Sequence, residues 1–312
     1  WGVDGIVPAI IITSIANLIQ KWYFAKKVKI EKVAVSRKVF VLEAKDMLNM
    51  GLMLSLSGLY LLAKDYGIRT YISNIGGMEE VGLYSAGILI VNTYVGMVFT
   101  AMSTDYFPRL SAVAEDNNEA RKLINQQAEI AVLILAPLII IFIIFIGWIV
   151  VLLYSNDFSA INSMIQWAML GIFFKAASWS MGFVLLAKGK AKIFLFNELF
   201  GGTITLLCNV LGYYLGGLTG MGIGFLIGYF YYMLQVYFLT RYYFNFSFEK
   251  GFLRIFLAQI ALAIVTFVIV LLVPKPLSYL LSIPIIVISC IYSYKELDHR
   301  LDLKDLLSKF KK

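Results

Sequence analysis

Lys175 lies in Gly171-Ile172-Phe173-Phe174-Lys175-Ala176-Ala177-Ser178, in the middle of an apolar run, about fifteen residues from one end and twelve from the other. At about 1.5 Å per helical residue its ammonium cannot easily snorkel to either membrane surface. A charge placed there is costly enough that a functional role is the default reading. It requires a polar cavity, an acidic partner or an anionic ligand. Lys64, Asp65 and Arg69 interrupt a second apolar run. Counted from Leu48, Lys64 stands roughly 24 Å along its helix. Asp65 and Arg69 have i,i+4 spacing with the acid first, the favourable order for pairing. The three residues either edge the membrane among headgroups or add positive charge to a cavity wall. Glu198 falls one to two turns inside the end of another run, where a carboxylate can couple an ion or proton, pair with a cation, or reach the headgroups. Asn92 falls near the midplane of a further run, where an amide binds a neighbouring helix or lines a cavity.

Other chemistries find little support. The chain has one His, His299, and two Cys, Cys208 and Cys290, which read as small apolar residues inside spans. No metal site and no cofactor is expected. Gly220-Met221-Gly222-Ile223-Gly224 superficially resembles a nucleotide fingerprint, but no strand–turn–helix context surrounds it and no GKS/T follows. Motifs for hydrolysis or group transfer are lacking, so no enzyme is expected.

The elements that must position these residues follow from composition. Of 312 residues 60% are hydrophobic and only 15% charged, with a mean hydropathy of +0.81. A soluble globule carries about a quarter charged residues, so the chain is expected to be an integral membrane protein. Nine runs are long enough to cross about 30 Å of hydrocarbon: 3–22, 47–68, 81–104, 127–153, 160–187, 192–214, 218–240, 252–273 and 276–293. They are too long and too uniformly apolar for barrel strands, so an all-α polytopic protein is expected. Of 27 Lys and Arg, 23 fall in alternate connections and the tail, within 21–45, 105–125, 188–192, 241–254 and 295–312. Reading the basic side as cytoplasmic, the positive-inside rule then puts the chain's start outside and its end inside. The net charge of +8 reads as topology and as affinity for anionic membrane lipid, not as a nucleic-acid surface.

Gly2-Val3-Asp4-Gly5, followed by Ala9 and Gln20, aligns without gaps with Gly217-Leu218-Thr219-Gly220, followed by Gly224 and Gln235. Six spans separate the two starts, so both copies point the same way, as in two parallel bundles. Gly2, Gly5, Gly217, Gly220, Gly224 and Gly228 are expected to let helices approach closely. The division expected is 1–24 as the last helix of a truncated first lobe, 25–46 as a basic linker, 47–240 as a six-helix lobe, 241–293 as two further spans and 294–312 as a tail. Opening on Trp1 rather than Met, the chain reads as the C-terminal piece of a parent with about fourteen spans. Between spans, Pro108 is expected to end a helix and Ser111 to cap a surface helix running through Glu119.

The segments Gly76-Gly77-Met78-Glu79-Glu80-Val81-Gly82-Leu83-Tyr84-Ser85-Ala86-Gly87 and Gly96-Met97-Val98-Phe99-Thr100-Ala101-Met102-Ser103-Thr104-Asp105-Tyr106-Phe107-Pro108-Arg109-Leu110-Ser111 resemble those of the polysaccharide-exporter branch of the multidrug/oligosaccharidyl-lipid/polysaccharide superfamily, the lipid-linked O-antigen flippases. The resemblance implies two six-helix lobes around a central cavity that opens alternately to each face. It implies a cargo of undecaprenyl-pyrophosphate-linked oligosaccharide, attracted by membrane-embedded cations, for which Lys175, Lys64 and Arg69 match by character and placement. It also implies work alongside polysaccharide polymerase and chain-length proteins. Competing readings are a multidrug or cation antiporter of the same fold, a peptidoglycan-precursor flippase, a membrane glycan polymerase or ligase, and a non-transporting scaffold. The antiporter would favour cavity carboxylates, and the polymerase would need a large extracytoplasmic loop.

Overall fold

The computed structural model describes residues 5–27 and 36–301; Gly2 and the tail beyond 301 lie outside the described residues. The chain divides into two units, 1–48 and 49–312. In the first, α1 (Ile6–Lys27) buries none of its residues. Thr13 and Ser14 return their hydroxyls to the carbonyls of Ala9 and Ile10 at 2.7 and 2.8 Å, so their polarity is satisfied within the helix. Gly5 begins this segment.

The second unit is an all-α bundle. Its elements are α2 (Arg37–Ile90, begun in the first unit), a π-helical turn (Val91–Val95), α3 (Gly96–Ala112), α4 (Asn117–Leu153), a 3-10 turn (Asn156–Ile161), α5 (Asn162–Ala187), α6 (Ala191–Phe244), α7 (Lys250–Leu272) and α8 (Leu277–Leu301). The expectation of nine spans in a two-lobe exporter is corrected. Among the described residues seven helices are long and apolar enough to cross a membrane, and they form a helical bundle. The difference lies at two junctions, where paired runs share one stretch that bends at Gly77 or at Gly216 and Gly217. The runs at 47–68 and 81–104 belong to one continuous stretch, Arg37–Ala112, and those at 192–214 and 218–240 to another, Ala191–Phe244.

Each of those stretches bends at glycine. Gly77 has φ 82° and ψ 179° inside α2, and Gly217 has φ 57° and ψ −143° inside α6. Both are positive-φ conformations that glycine adopts without a steric penalty. The bends are reversals. Arg69 bonds Ser85, sixteen residues on, whereas sixteen residues of straight helix would separate them by about 24 Å. In α6, Gly220 lies against Gly212, Gly224 against Cys208 and Gly228 against Thr205, a constant antiparallel register. A Cβ on Gly212 or Gly220 would strike the other's carbonyl oxygen. Small residues thus bring two backbones together where lipid provides no hydrophobic drive for helix association.

The connection to α4 differs from expectation. Pro108 stays inside α3, and Ser111 is also helical, donating its hydroxyl to the Phe107 carbonyl at 2.9 Å. The cap is Asp116, whose side chain accepts from the Asn118 and Glu119 amides at 2.7 and 3.3 Å. An extended Asp116, with its carboxylate free to reach those amides, meets the N-cap requirement that Ser111 cannot. No separate surface helix forms here, because α4 runs on unbroken to Leu153. Its Ile139, Ile140 and Ile143 are fully buried in the core with Ile165, Met169 and Ile172 of α5.

Two polar fastenings hold α7 and α8 to α4. The Asn125 amide donates to the Ser247 carbonyl at 3.1 Å and accepts from the Glu249 amide at 2.8 Å, fixing the turn before α7. Glu129 of α4 is buried and pairs with Arg300 of α8 at 2.7 Å, while Glu296 holds the same guanidinium. Between α7 and α8, the Gln259 amide donates to the Ser293 hydroxyl at 2.8 Å and accepts from Ser289 at 2.7 Å.

Gly220→Ala is expected to destabilise the bundle by about 1–3 kcal/mol through overpacking. Gly82→Ala, whose added Cβ would meet no atom within 4 Å among the described residues beyond its own chain neighbours and helix backbone, is expected to be neutral or to stabilise by up to about 1 kcal/mol. Thermal unfolding of the two variants in detergent, followed by circular dichroism, checks the contrast. Glu129→Ala leaves Arg300 without its interhelical partner and is expected to cost about 3–5 kcal/mol. The double variant Glu129→Ala/Arg300→Ala should recover part of that loss in the same measurement.

Candidate substrate cavity

A cavity of about 870 Å³ opens among the two arms of α2, the π-helical turn and the two arms of α6. Lys64, Asp65, Arg69 and Asn92 all line it, together with Tyr84, Ser85, Thr205, Asn209 and Tyr229. Four residues singled out from sequence therefore share one wall system. The reversal at Gly77 is what brings them together, because it folds Tyr84, Ser85 and Asn92 back beside Lys64 and Arg69.

The charges differ in how free they are. Arg69 donates through Nε to Asp65 at 2.8 Å, bonds the Ser85 hydroxyl and lies 5.8 Å from the Tyr84 ring centre. Ser85 passes its own proton to the Val81 carbonyl at 2.6 Å. The guanidinium is thus held in a fixed direction, with its charge balanced by Asp65. Lys64 forms no ion pair among the described residues, although Glu198 feels its charge through space. Asn92 projects from the π-helical turn, a local widening that often accompanies functional sites. Asn209 carries a buried amide oxygen with no hydrogen-bond partner among the described residues.

Lys175 does not line this cavity. Its ammonium sits 5.4 Å from the centre of the Tyr229 ring and 5.8 Å from that of Phe99, and Tyr229 is itself a cavity residue. Lys175 therefore stands one aromatic ring behind the wall, with no carboxylate in pairing distance among the described residues. Cation–π contacts of this kind are worth about 0.5–2 kcal/mol, less than an ion pair would supply in a dry interior.

Glu198 belongs to a neighbouring network rather than to the lining. It accepts from the Tyr232 hydroxyl and, at 3.5 Å, from the Asn197 amide. Gln235 donates to the Asn197 side-chain oxygen at 2.8 Å, so the network ties the two arms of α6 together below the glycine seam. Gly217, Gly220, Gly224 and Gly228 are placed at that reversal and along that seam.

Sequence reasoning missed Tyr84, Ser85, Thr205, Asn209, Tyr229 and Tyr232. A helical signal was present for some of them. Thr205 and Asn209 are four apart on one arm, and Tyr229 and Tyr232 three apart on the other, so each pair shares a face. Among the described residues no group of three or more His, Cys, Asp or Glu is placed to hold a metal ion. The arrangement suits an anion: the Lys64 ammonium, with no ion-pair partner among the described residues, and an oriented Arg69 guanidinium line the cavity, with the Lys175 ammonium behind the Tyr229 ring, in partly apolar surroundings where Coulomb attraction exceeds its value in water.

Comparison with known proteins is consistent with this chemistry. The chain is 28% identical over 181 residues to a Shigella flexneri protein named "Putative O-antigen transporter", covering 57% of this chain and 42% of that protein. It is 22% identical over 122 residues to the "Lipid III flippase" of Escherichia coli strain K12, covering 38% of this chain and 29% of that protein. A Shigella flexneri protein of the same name matches equally. The aligned part thus spans less than half the length of the curated relatives it matches. Residues 1–163, which hold both glycine-rich segments and the α2 side of the cavity, match the family described as polysaccharide biosynthesis protein. The chain belongs to the polysaccharide biosynthesis protein family.

Proposed function

We propose that this chain is part of a transporter that moves an undecaprenyl-pyrophosphate-linked oligosaccharide across the bacterial cytoplasmic membrane, by exposing its cavity to one face at a time. The observation that carries the reading is the cavity between the α2 and α6 hairpins. It presents Lys64, which has no salt-bridge partner among the described residues, and Arg69 held in place by Asp65 and Ser85. The pyrophosphate is the part of such a cargo that these cations recognise. The amides of Asn92 and Asn209 suit sugar hydroxyls, which both donate and accept. The polyprenyl tail can remain in lipid, so the cavity needs to shelter only the polar head. No bond is made or broken in this process; the work is movement and no enzyme chemistry is required.

The names of the related proteins favour the same cargo class. A cation antiporter of similar shape would need a free carboxylate in the cavity. The one carboxylate in the lining, Asp65, is already neutralised by Arg69. Glu198, in its hydroxyl and amide network with Tyr232 and Asn197, is the position we assign to ion coupling or to charge pairing during the cycle. Lys175 supports the cavity field from behind Tyr229.

The test uses the full-length parent in a strain lacking its own flippase, with surface glycan as the readout and protein level matched. Lys64→Ala is expected to lower export about tenfold, the effect of losing roughly 1.4 kcal/mol of cargo attraction, with Lys64→Arg retaining most of it. Lys175→Ala is expected to lower export less than Lys64→Ala. Unchanged export in both alanine variants would remove the cations from the mechanism. Glu198→Gln is expected to leave cargo binding intact while export loses its response to collapse of the ion gradient.

A further inference from the structure

A second pocket, of about 590 Å³, lies at the end of α4 and the start of α8, and Trp148, Asn156, Ser159, Asn162, Lys275 and Tyr279 form its working surface. Its depth in the membrane follows from α8, which runs antiparallel to α4. Arg300 bonds Glu129 near one end, and the Trp148 indole N–H donates to the Tyr279 hydroxyl at 3.1 Å near the other. Nineteen residues of α4 separate Glu129 from Trp148, about 29 Å of helix, which is the thickness of the hydrocarbon layer. Trp148 and Tyr279 therefore sit at headgroup level, where amphipathic rings concentrate.

An aromatic belt alone would be generic; the convergence of donors is specific. The Lys275 ammonium and the Asn162 amide nitrogen lie 3.4 and 3.6 Å from the point where a Cβ on Gly147 would stand. The missing side chain leaves a recess that both donors reach. No carboxylate lines the pocket, and Lys275 makes no ion pair among the described residues. Its ammonium lies 5.7 Å from the centre of the Tyr279 ring, which is itself stacked on Phe145 with centroids 5.7 Å apart. The nearby Asp157 accepts the Ser155 hydroxyl at 3.1 Å and lies outside the lining. The Asn162 amide oxygen is buried with no partner among the described residues, an acceptor with unused lone pairs beside two donors.

We propose that this pocket holds the headgroup of an anionic glycerophospholipid, phosphatidylglycerol, with its phosphate between Lys275 and the Asn162 amide nitrogen and a glycerol hydroxyl donating to the Asn162 oxygen. A zwitterionic headgroup meets the first requirement, but its ammonium is repelled by Lys275. The site is separate from the transport cavity and does not depend on the cargo assigned to it.

The test is native mass spectrometry of the full-length parent in detergent, titrated with phosphatidylglycerol, with phosphatidylethanolamine of the same acyl chains, with a polyprenyl phosphate, and with inorganic phosphate. Phosphatidylglycerol is expected to bind about fivefold more tightly than phosphatidylethanolamine, the effect of about 1 kcal/mol from one interfacial lysine. Lys275→Gln is expected to abolish that preference. Gly147→Leu, which fills the recess without changing charge, is expected to weaken phosphatidylglycerol binding by a similar factor. Equal binding of the two phospholipids, a preference that survives both substitutions, tighter binding of the polyprenyl phosphate, or equal affinity for inorganic phosphate alone would each overturn the assignment.

Discussion

The close approach of two helical arms across the α6 glycine seam is the constraint on which the cavity depends. Between apolar helices in lipid there is no water to expel, so contact distance decides whether they associate. Gly212 against Gly220, and Gly224 against Cys208, allow backbone-to-backbone contact. That fixes the arms in register and turns Thr205, Asn209, Phe225 and Tyr229 toward a common space. The same seam places Asn197 opposite Tyr232 and Gln235 at its far end, where polar side chains replace glycine as the means of association. A single hairpin thus supplies a tightly packed upper part and a hydrogen-bonded lower part, with one wall of the cavity between them.

The α2 hairpin is built differently. Its arms are joined by Arg69 and Ser85 and not by a glycine seam. Polar side chains in the interface keep the arms apart enough for a cavity to remain. The two hairpins meet at their reversals, where Tyr213 donates to Glu80 and crowds Gly76, and again lower down, where the Tyr60 and Thr203 hydroxyls lie 2.8 Å apart. The two hairpins are therefore fastened at two levels, and the cavity that holds the cations lies between them.

The sequence carried the helical class, the membrane setting and the charged residues that line the candidate cavity, because a charge within an apolar run is conspicuous without any structure. The Asp65–Arg69 pair was legible from i,i+4 spacing, and the structure forms it. Span count was less legible. Hydropathy marks where a run weakens, but the paired runs on either side of Gly77 and of Gly216-Gly217 fall within single bent stretches, so nine runs correspond to seven helices of membrane-spanning length among the described residues. Capping was missed for a related reason. Ser111 and Asp116 are both acceptable N-caps by type, and the choice fell to the residue whose backbone was already extended. The position of Lys175 behind Tyr229 was beyond sequence reasoning altogether, since it depends on which face of α5 meets the second arm of α6.

Helix α4 carries a polar attachment at each end of its apolar length: Glu129 to Arg300, and Trp148 to Tyr279. A span anchored at a single surface can accommodate a thicker or thinner bilayer by tilting. A span tied to the same partner helix at both surfaces can tilt only with that partner, or by giving up one attachment. The two attachments stand about 29 Å apart along α4, so a change in the tilt of α4 has to be shared by α8.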